Sequence, residues 1–354
     1  MSTVSYDVLE NVIDYSKAFN MPAEKPQSLL EEVRTGAPLK ATSFHWWEED
    51  RAPVETTLSA EHAIAGVYAM TDITPFVKGS LFKVGALTVS VDSISGSNVT
   101  GTVIDGADAI IAVDTAVYLI GNAQPESSSG QEVARHDKKK VYNYTQIMRE
   151  TYTVSETQMA VDKEVGQQEM TEGVASIITR FRDYSSGMLW SPIQVDAPNN
   201  SIARVAGGVP FFANANGTKL TGALNAANIS TFAETLYNNV GAKPKEIWIN
   251  PANQATFSDM DASTQRRDQE SVLRGAYAEK FVTKQGKQFL IKTDVNIPLD
   301  KAYFMNSTDI MFRVLRPLTS KPVATDDDSA KVAVVTEFSV EVNPSSQMGI
   351  FTIA

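Results

Sequence analysis

His45, His62 and His136 are the only imidazoles in a chain of 354 residues, and cysteine is absent. No two of the histidines have the H-x-x-x-H spacing that turns two ring nitrogens toward one metal from a helix face. His45 stands beside Trp46 and Trp47, where a packed or hydrogen-bonded ring is expected rather than a ligand. Without cysteine there are no disulfides, thiolate metal sites, iron–sulfur clusters or thiol nucleophiles. Carboxylates gather in two places. Glu48, Glu49 and Asp50 follow the tryptophans and could supply an acid and a base for a hydrolysis. Asp326, Asp327 and Asp328 form an acidic turn, but calcium needs oxygen ligands at further spaced positions, so a solvated turn is expected. The chain has no G-x-x-x-x-G-K-[ST] phosphate loop, no G-x-G-x-x-G after a strand and no G-x-S-x-G elbow. No catalytic, cofactor-binding or metal-binding residue is therefore expected, and no cofactor.

Charge narrows the partners. Lysine and arginine number 31 against 42 aspartates and glutamates, a formal net charge of -11. A nucleic-acid reader concentrates basic residues on one face, so any contact with DNA should be non-specific. Lys138, Lys139 and Lys140 form the only basic run, read as a solvated loop tip or a contact with an acidic neighbouring surface. The N-terminus lacks the basic and apolar regions of a secretory signal. Apolar runs such as "AIIAV" at 109–113 are far too short for a membrane span, so no membrane partner is expected and the chain should fold in a cytoplasm.

The length suggests two or three compact units. Residues 1–40 read as an arm with one apolar turn at Leu29, Leu30 and Val33. "TSFHWWEEDRAPVETT" at 42–57 reads as a strand or loop, and adjacent tryptophans in a strand face opposite ways, which suggests either contacts on both sides or one core and one partly exposed ring. The alternation in "ALTVSVDSISGSNVTGTVI", with a turn at "SGSN", predicts a small β-module of about four strands, completed by "DTAVYLIGN". "AQPESSSGQEVARHDKKK" at 123–140 reads as an exposed connector. "NYTQIMRETYTVSETQMAV", 143–161, is rich in strand-forming Thr, Val and Tyr and leads into an amphipathic helix over 166–190. Its stripe is Met170, Val174, Ile177, Ile178, Phe181, Tyr184 and Met188, weakened by Gly173 and Gly187. Residues 196–310 read as an α/β unit. There Ile229, Phe232, Leu236 and Val240 share a helix face capped at Gly241, "EIWI" is a buried strand, and Asn250 caps a following helix. "KVAVVTEFSVEVN" alternates Val332, Val334, Thr336, Phe338, Val340 and Val342 with a wetter face of Ala333, Glu337, Ser339 and Glu341, and "IMFRVLRPL" is its expected partner.

Five segments in order resemble the major capsid proteins of tailed bacteriophages with the Hong Kong 97-like fold: "KATSFHWWEEDRAP", "VYLIGNAQPESSSG", "NYTQIMRETYTVSETQMAV", "NVGAKPKEIWINPANQATFSDM" and "TDDDSAKVAVVTEFSVEVNPSSQMGI". The resemblance implies an α+β chain: an N-terminal arm at 1–40, an extended loop at 41–150 carrying the β-module at about 75–122, a peripheral domain at 151–195 and 311–354 with 166–190 as its helical spine, and an axial domain at 196–310. It implies self-assembly as hexamers and pentamers into an icosahedral virion shell around double-stranded DNA, made in the host bacterial cytoplasm. A portal, with scaffold or decoration proteins, would be its partners. No long charged N-terminal helical region stands in for a fused scaffold, so a scaffold would be separate or absent. In that setting Trp46, Trp47, Lys138, Lys139, Lys140, Arg149 and Glu150 become candidates for contacts between subunits. Two other functions remain open on the residues alone. A tail-tube subunit would be mostly β without a long helix, and a hydrolase would use Glu48, Glu49 and Asp50.

Overall fold

The structure, a computed structural model, describes residues 29–49, 55–62, 66–107, 109–124, 126, 138–161, 169–197, 202–240, 242–258, 265–266 and 280–354. The expectations for residues 1–28, Asp50, His136 and Gly241 lie outside them.

The β-module is a six-stranded sheet in the order Glu55–Thr57, Ala116–Asn122, Ser80–Val84, Leu87–Ser95, Asn98–Asp105, Val67–Ala69. The last four strands by sequence are those expected from 81–122. Glu55–Thr57 and Val67–Ala69 are additions, too short for a period of two to show in the sequence. These two edge strands meet: Leu58 bridges Met70, and the Ser59 and Thr71 amides donate to Ala69 and Thr57 carbonyls, each at 2.9 Å. Closing the sheet in this way leaves no long exposed edge. Tyr68, Phe82, Val84, Val89, Val91, Val99 and Val117 fill the interior. The "SGSN" turn forms as expected, with Gly96 at φ 58°, a left-handed conformation that glycine adopts without a Cβ clash.

A second sheet has four strands in the order Arg34–Thr35, Ile310–Val323, Ser329–Val342, Gln146–Ser155. The long helix, Glu169–Leu189, packs on it through Gly173, Ile177, Phe181, Ser185, Met188 and Leu189. Twenty-one residues at 1.5 Å each give a length of about 31 Å. Ile178 and Tyr184, counted in the apolar stripe, are exposed on its flanks. Gly173 is a contact rather than a weakness: a Cβ there would lie 2.2 Å from the Tyr152 ring. The helix thereby comes close enough for Glu169 to accept the Tyr152 hydroxyl at 2.7 Å.

A third sheet has seven strands in the order Thr218–Gly222, Gly349–Ile353, Lys301–Met305, Glu246–Ile249, Gln288–Thr293, Lys280–Val282, Gln265–Arg266. The helix Ala226–Val240 covers one face, where Ile229, Phe232 and Leu236 meet Ile247, Ile249, Phe289, Phe304 and Phe351. On the opposite face Trp248, Tyr303, Met305 and Ile350 join one continuous core with Phe181, Trp190, Phe212 and Phe338. "EIWI" is buried along its whole length because both faces of its sheet are covered. Asn250 caps the next helical turn by accepting the Ala252 amide at 3.0 Å. The final strand, Gly349–Ile353, differs from the expected grouping of 311–354. It crosses into this sheet, between Thr218–Gly222 and Lys301–Met305.

Candidate subunit-contact site

Ser43–Glu49 pairs antiparallel with Lys138–Tyr144, so the basic run belongs to a strand rather than to a connector. The strand residues beside them, Val141, Asn143 and the tryptophan strand, provide the pairing that composition alone did not reveal. Alternation divides this ribbon into two faces. Inward, Trp46 packs on Phe212 with ring centroids 5.4 Å apart, and its indole donates to Glu48 at 2.7 Å. Glu48 is buried and also accepts the Ser345 amide at 3.0 Å and the Ser345 hydroxyl at 2.7 Å. Asn216 donates to the same hydroxyl at 2.8 Å, and Lys139 donates to Asn216. Outward, Trp47 is 57% exposed and Tyr142 52% exposed. His45 meets Trp47 edge-on at 6.3 Å, Lys140 stands 6.0 Å over the Trp47 ring, and Lys138 lies across from Glu49. The ribbon thus presents aromatic rings and ammonium groups to the outside while hydrogen bonds hold its back.

The two tryptophans consequently differ: Trp46 lies in the subunit's own core, and Trp47 faces outward. Glu48 and Glu49 point to opposite faces and do not form the carboxylate pair that a hydrolase would need. Arg149 is exposed, whereas Glu150 turns inward to Arg180 of the long helix at 2.7 Å. Among the described residues no group of three or more metal-ligating side chains converges. No described helix is long and apolar enough to cross a membrane.

The ribbon is fastened at a buried polar layer that begins at "NYT", where the strand breaks at Thr145 before resuming at Gln146. Asn143, fully buried, donates to the Gly207 carbonyl at 2.9 Å and the Val340 carbonyl at 2.7 Å. Its oxygen accepts the Gly207 amide and the Tyr144 amide, each at 2.8 Å. Thr145 donates to Glu337 at 2.7 Å, and Glu337 also takes Arg204 at 2.9 Å and Arg316 at 2.8 Å. Ser339 donates to the Tyr144 carbonyl at 2.7 Å, and Arg313 donates to Glu341 at 2.7 Å. The face of Ser329–Val342 expected to be wet is therefore buried: Glu337 and Glu341 are paired with arginines, and Ser339 is bonded to the ribbon's Tyr144 carbonyl. The expectation fails because alternation reports polarity, and a buried charge with a partner has the same alternation as a solvated one.

The short helix Leu29–Glu32 docks between the long helix and the seven-stranded sheet. Leu29 is fully buried and its amide donates to Asp294 at 3.1 Å. Glu31 pairs with Arg182 at 3.0 Å, and Glu32 with Lys292. Lys292 continues to Glu246 at 2.8 Å, which also accepts the Trp248 indole and the Ser307 amide, each at 2.9 Å. Burial pushes the Glu246 carboxyl up, but the donors Lys292, Trp248 and Ser307 outweigh it and hold it below its ordinary 4.5. A group lowered on folding stabilises above its unfolded pKa, and this contribution is lost as pH falls through the folded pKa. Glu246→Gln should therefore lower the urea midpoint of the unassembled subunit at neutral pH. The gap to the parent should narrow once pH falls below 4.5 and close in stronger acid. Unfolding curves across that range measure it, and a gap independent of pH would refute the assignment.

An arm helix, a back-anchored ribbon carrying a closed β-module, a long helix across a four-stranded sheet and a helix-backed larger sheet make up the architecture. Solved structures share it. The capsid of an empty GTA particle superposes with a TM-score of 0.56 at 11% identity, covering 100% of both chains. A chain of Microbacterium phage Oxtober96 reaches 0.53 at 9% identity, covering 99% of this chain and 97% of that one. A chain from a structure described as Phage G gp27 major capsid proteins and gp26 decoration proteins reaches 0.50 at 9% identity, covering 100% and 99%. At such identities the likeness establishes the fold, which is the Hong Kong 97-like capsid fold. The SU10 major capsid protein family matches residues 3–354, and the chain belongs to that family: it is a structural protein, the major capsid protein that forms a bacteriophage head. No curated protein sequence matches the chain. Its copies associate into capsomers and reside in the virion shell.

Proposed function

We propose that the outward face of the ribbon, His45, Trp47, Lys140 and Tyr142, is a contact between neighbouring subunits as the chain closes into an icosahedral shell around double-stranded DNA. The observation that supports this most directly is the two-sidedness of Ser43–Glu49 and Lys138–Tyr144. Their inner face is fixed by Trp46, Glu48 and Asn143, and their outer face leaves Trp47 57% exposed. A rigid, desolvatable aromatic beside a cation is the usual centre of a binding hot spot. Lys138 and Lys140 suit an acidic neighbour, which a chain of net charge -11 supplies in its own copies. Trp47→Ala should lower the thermal midpoint of the subunit by no more than about 2 °C, because the ring's contacts with His45 and Lys140 lie at the surface. It should reduce closed shells in electron micrographs to a small fraction of the parent's yield. Normal shells from this variant would refute the contact.

The same reading has the chain made in the bacterial cytoplasm, with a portal at one vertex and scaffold or decoration proteins as further partners. The acidic balance favours weak, non-specific contact with packaged DNA. For the arm, the informative truncation stops short of Leu29, because Leu29, Glu31 and Glu32 belong to the subunit's own core and ion pairs. Removing residues 1–28 should leave a folded, soluble subunit that forms few or no closed shells. Parent-like shells by electron microscopy would show that the segment is dispensable.

A further inference from the structure

The four-stranded sheet has two edges that differ in kind. On one side Arg34–Thr35 pairs with Met311 and Phe312, and the Gly36 and Leu39 amides extend the cover by donating to the Phe312 and Val314 carbonyls, each at 2.9 Å. Beyond that, Ile310–Val323 carries Pro317, Lys321 and Pro322 and two register shifts, features that discourage strand addition. On the other side, Gln146–Ser155 is a ten-residue edge without proline, glycine or lysine.

The register identifies which backbone groups of that edge are free. It runs without a shift from Gln146 opposite Phe338 to Ser155 opposite Ser329. One step further, the Glu156 amide donates to the Asp328 carbonyl, at 3.4 Å, which marks a hydrogen-bonded pair. Hydrogen-bonded and non-bonded pairs alternate in an antiparallel ladder. Val154, Tyr152, Glu150 and Met148 therefore direct their backbone groups to Ser329–Val342, while Ile147, Arg149, Thr151 and Thr153 direct theirs outward. The opposite side of the ladder agrees: Asn343 donates to Asp309 at 2.9 Å, so the odd-numbered residues of Ser329–Val342 bond to Ile310–Val323 and the even-numbered ones to Gln146–Ser155. Ile147, Arg149, Thr151 and Thr153 are exposed, Ile147 at 49%, and no further hydrogen bond reaches them among the described residues.

We infer that this edge pairs antiparallel with the same edge of a second copy, about a local twofold axis. The inference rests on the capsid reading, which brings many copies together. A twofold normal to the sheet keeps the faces alike, so outward residues oppose outward residues. With Arg149 opposite Thr151 and Ile147 opposite Thr153, every free residue finds a backbone partner. This register sets Glu150 opposite Glu150 on the axis, where Arg180 of each copy's own long helix compensates the carboxylate at 2.7 Å; the slip that would bring Arg149 against Arg149 opposes two exposed guanidiniums with no such compensation among the described residues. A single strand pair is well below the roughly 1,200–2,000 Å² of a lasting interface, so the pairing belongs to the shell and not to a free dimer.

The absence of cysteine makes the test clean. Hydrogen-bonded residues across an antiparallel pair have Cα atoms about 5.5 Å apart, within disulfide range. Shells co-assembled from Arg149→Cys and Thr151→Cys subunits, then mildly oxidised, should give a dimer band on non-reducing gels. Shells of either variant alone should give little or none. Intact shells whose mixture stays monomeric, or an equally strong band from Arg149→Cys alone, would overturn the pairing while leaving the capsid reading intact. Hydrogen exchange on the parent provides a reading free of mutation. The amides of Ile147, Arg149, Thr151 and Thr153 should exchange rapidly in free subunits and be protected at least tenfold in shells. Equal exchange in both would also overturn it.

Discussion

Asn143→Ala is expected to destabilise the subunit by about 3–4 kcal/mol. The side chain is small, so little apolar contact is lost. The loss comes from what remains behind: the Gly207 amide, the Gly207 carbonyl and the Val340 carbonyl stay buried without their partner. Each such group costs about 1–3 kcal/mol when water cannot replace the bond. Asn143→Asp separates this from a volume effect. It keeps the shape and the acceptor for the Gly207 and Tyr144 amides, but it cannot donate and brings a carboxylate against two carbonyls. It should be at least as harmful as alanine. Urea unfolding of the unassembled subunit measures both. A loss under about 1 kcal/mol for both variants would mean that water fills the position.

Glu337→Ala should cost about 3 kcal/mol. Breaking a buried ion pair by removing one partner leaves the other charge uncompensated. Here two arginines and the Thr145 hydroxyl lose their acceptor together. The lower end of the usual range applies because the Arg316 side chain is half exposed, at 53%, and stays hydrated. Glu337→Gln retains one acceptor and should lose less than alanine. Asn143 and Glu337 are joined through Tyr144 and Thr145, so a double-mutant cycle should show coupling rather than additivity. The same unfolding midpoints check this, and strictly additive losses would mean that the layer is two independent contacts.

The polar layer shows where sequence reading stops. "NYTQIMRETYTVSETQMAV" was legible as a strand leading to a helix, since β-branched and aromatic residues favour extension and an apolar stripe at helical spacing requires a buried face, but extension stops at Ser155, whose side chain accepts the Gln158 amide and caps a short helix at Glu156–Ala160. Its first residues were not legible as an anchor. Asn143 and Thr145 meet Gly207, Val340 and Glu337, which lie 64, 197 and 192 residues away. A fastening made by residues so far apart leaves no periodicity in the chain. The contact candidates behaved similarly. Adjacent tryptophans implied two faces, but only the pairing of Ser43–Glu49 with Lys138–Tyr144 assigns Trp46 to the core and Trp47 to the outside. Lys138 to Lys140 looked like a loop tip because lysine has weak strand preference, and the tryptophan strand overrides it.

From the amino-acid order alone follow the local elements, the absence of thiol and phosphate-loop chemistry, the acidic balance and the resemblance to capsid proteins. These depend on residue type and short spacing, which a linear chain records. Which strands lie side by side, that the last strand joins the larger sheet, that Glu337 and Glu341 are buried against arginines, and that one edge of the four-stranded sheet is open all required the folded chain. The physical reason is the same in each case. Burial, charge compensation and edge exposure belong to pairs of distant residues, and those pairs exist only once the backbone has brought them together.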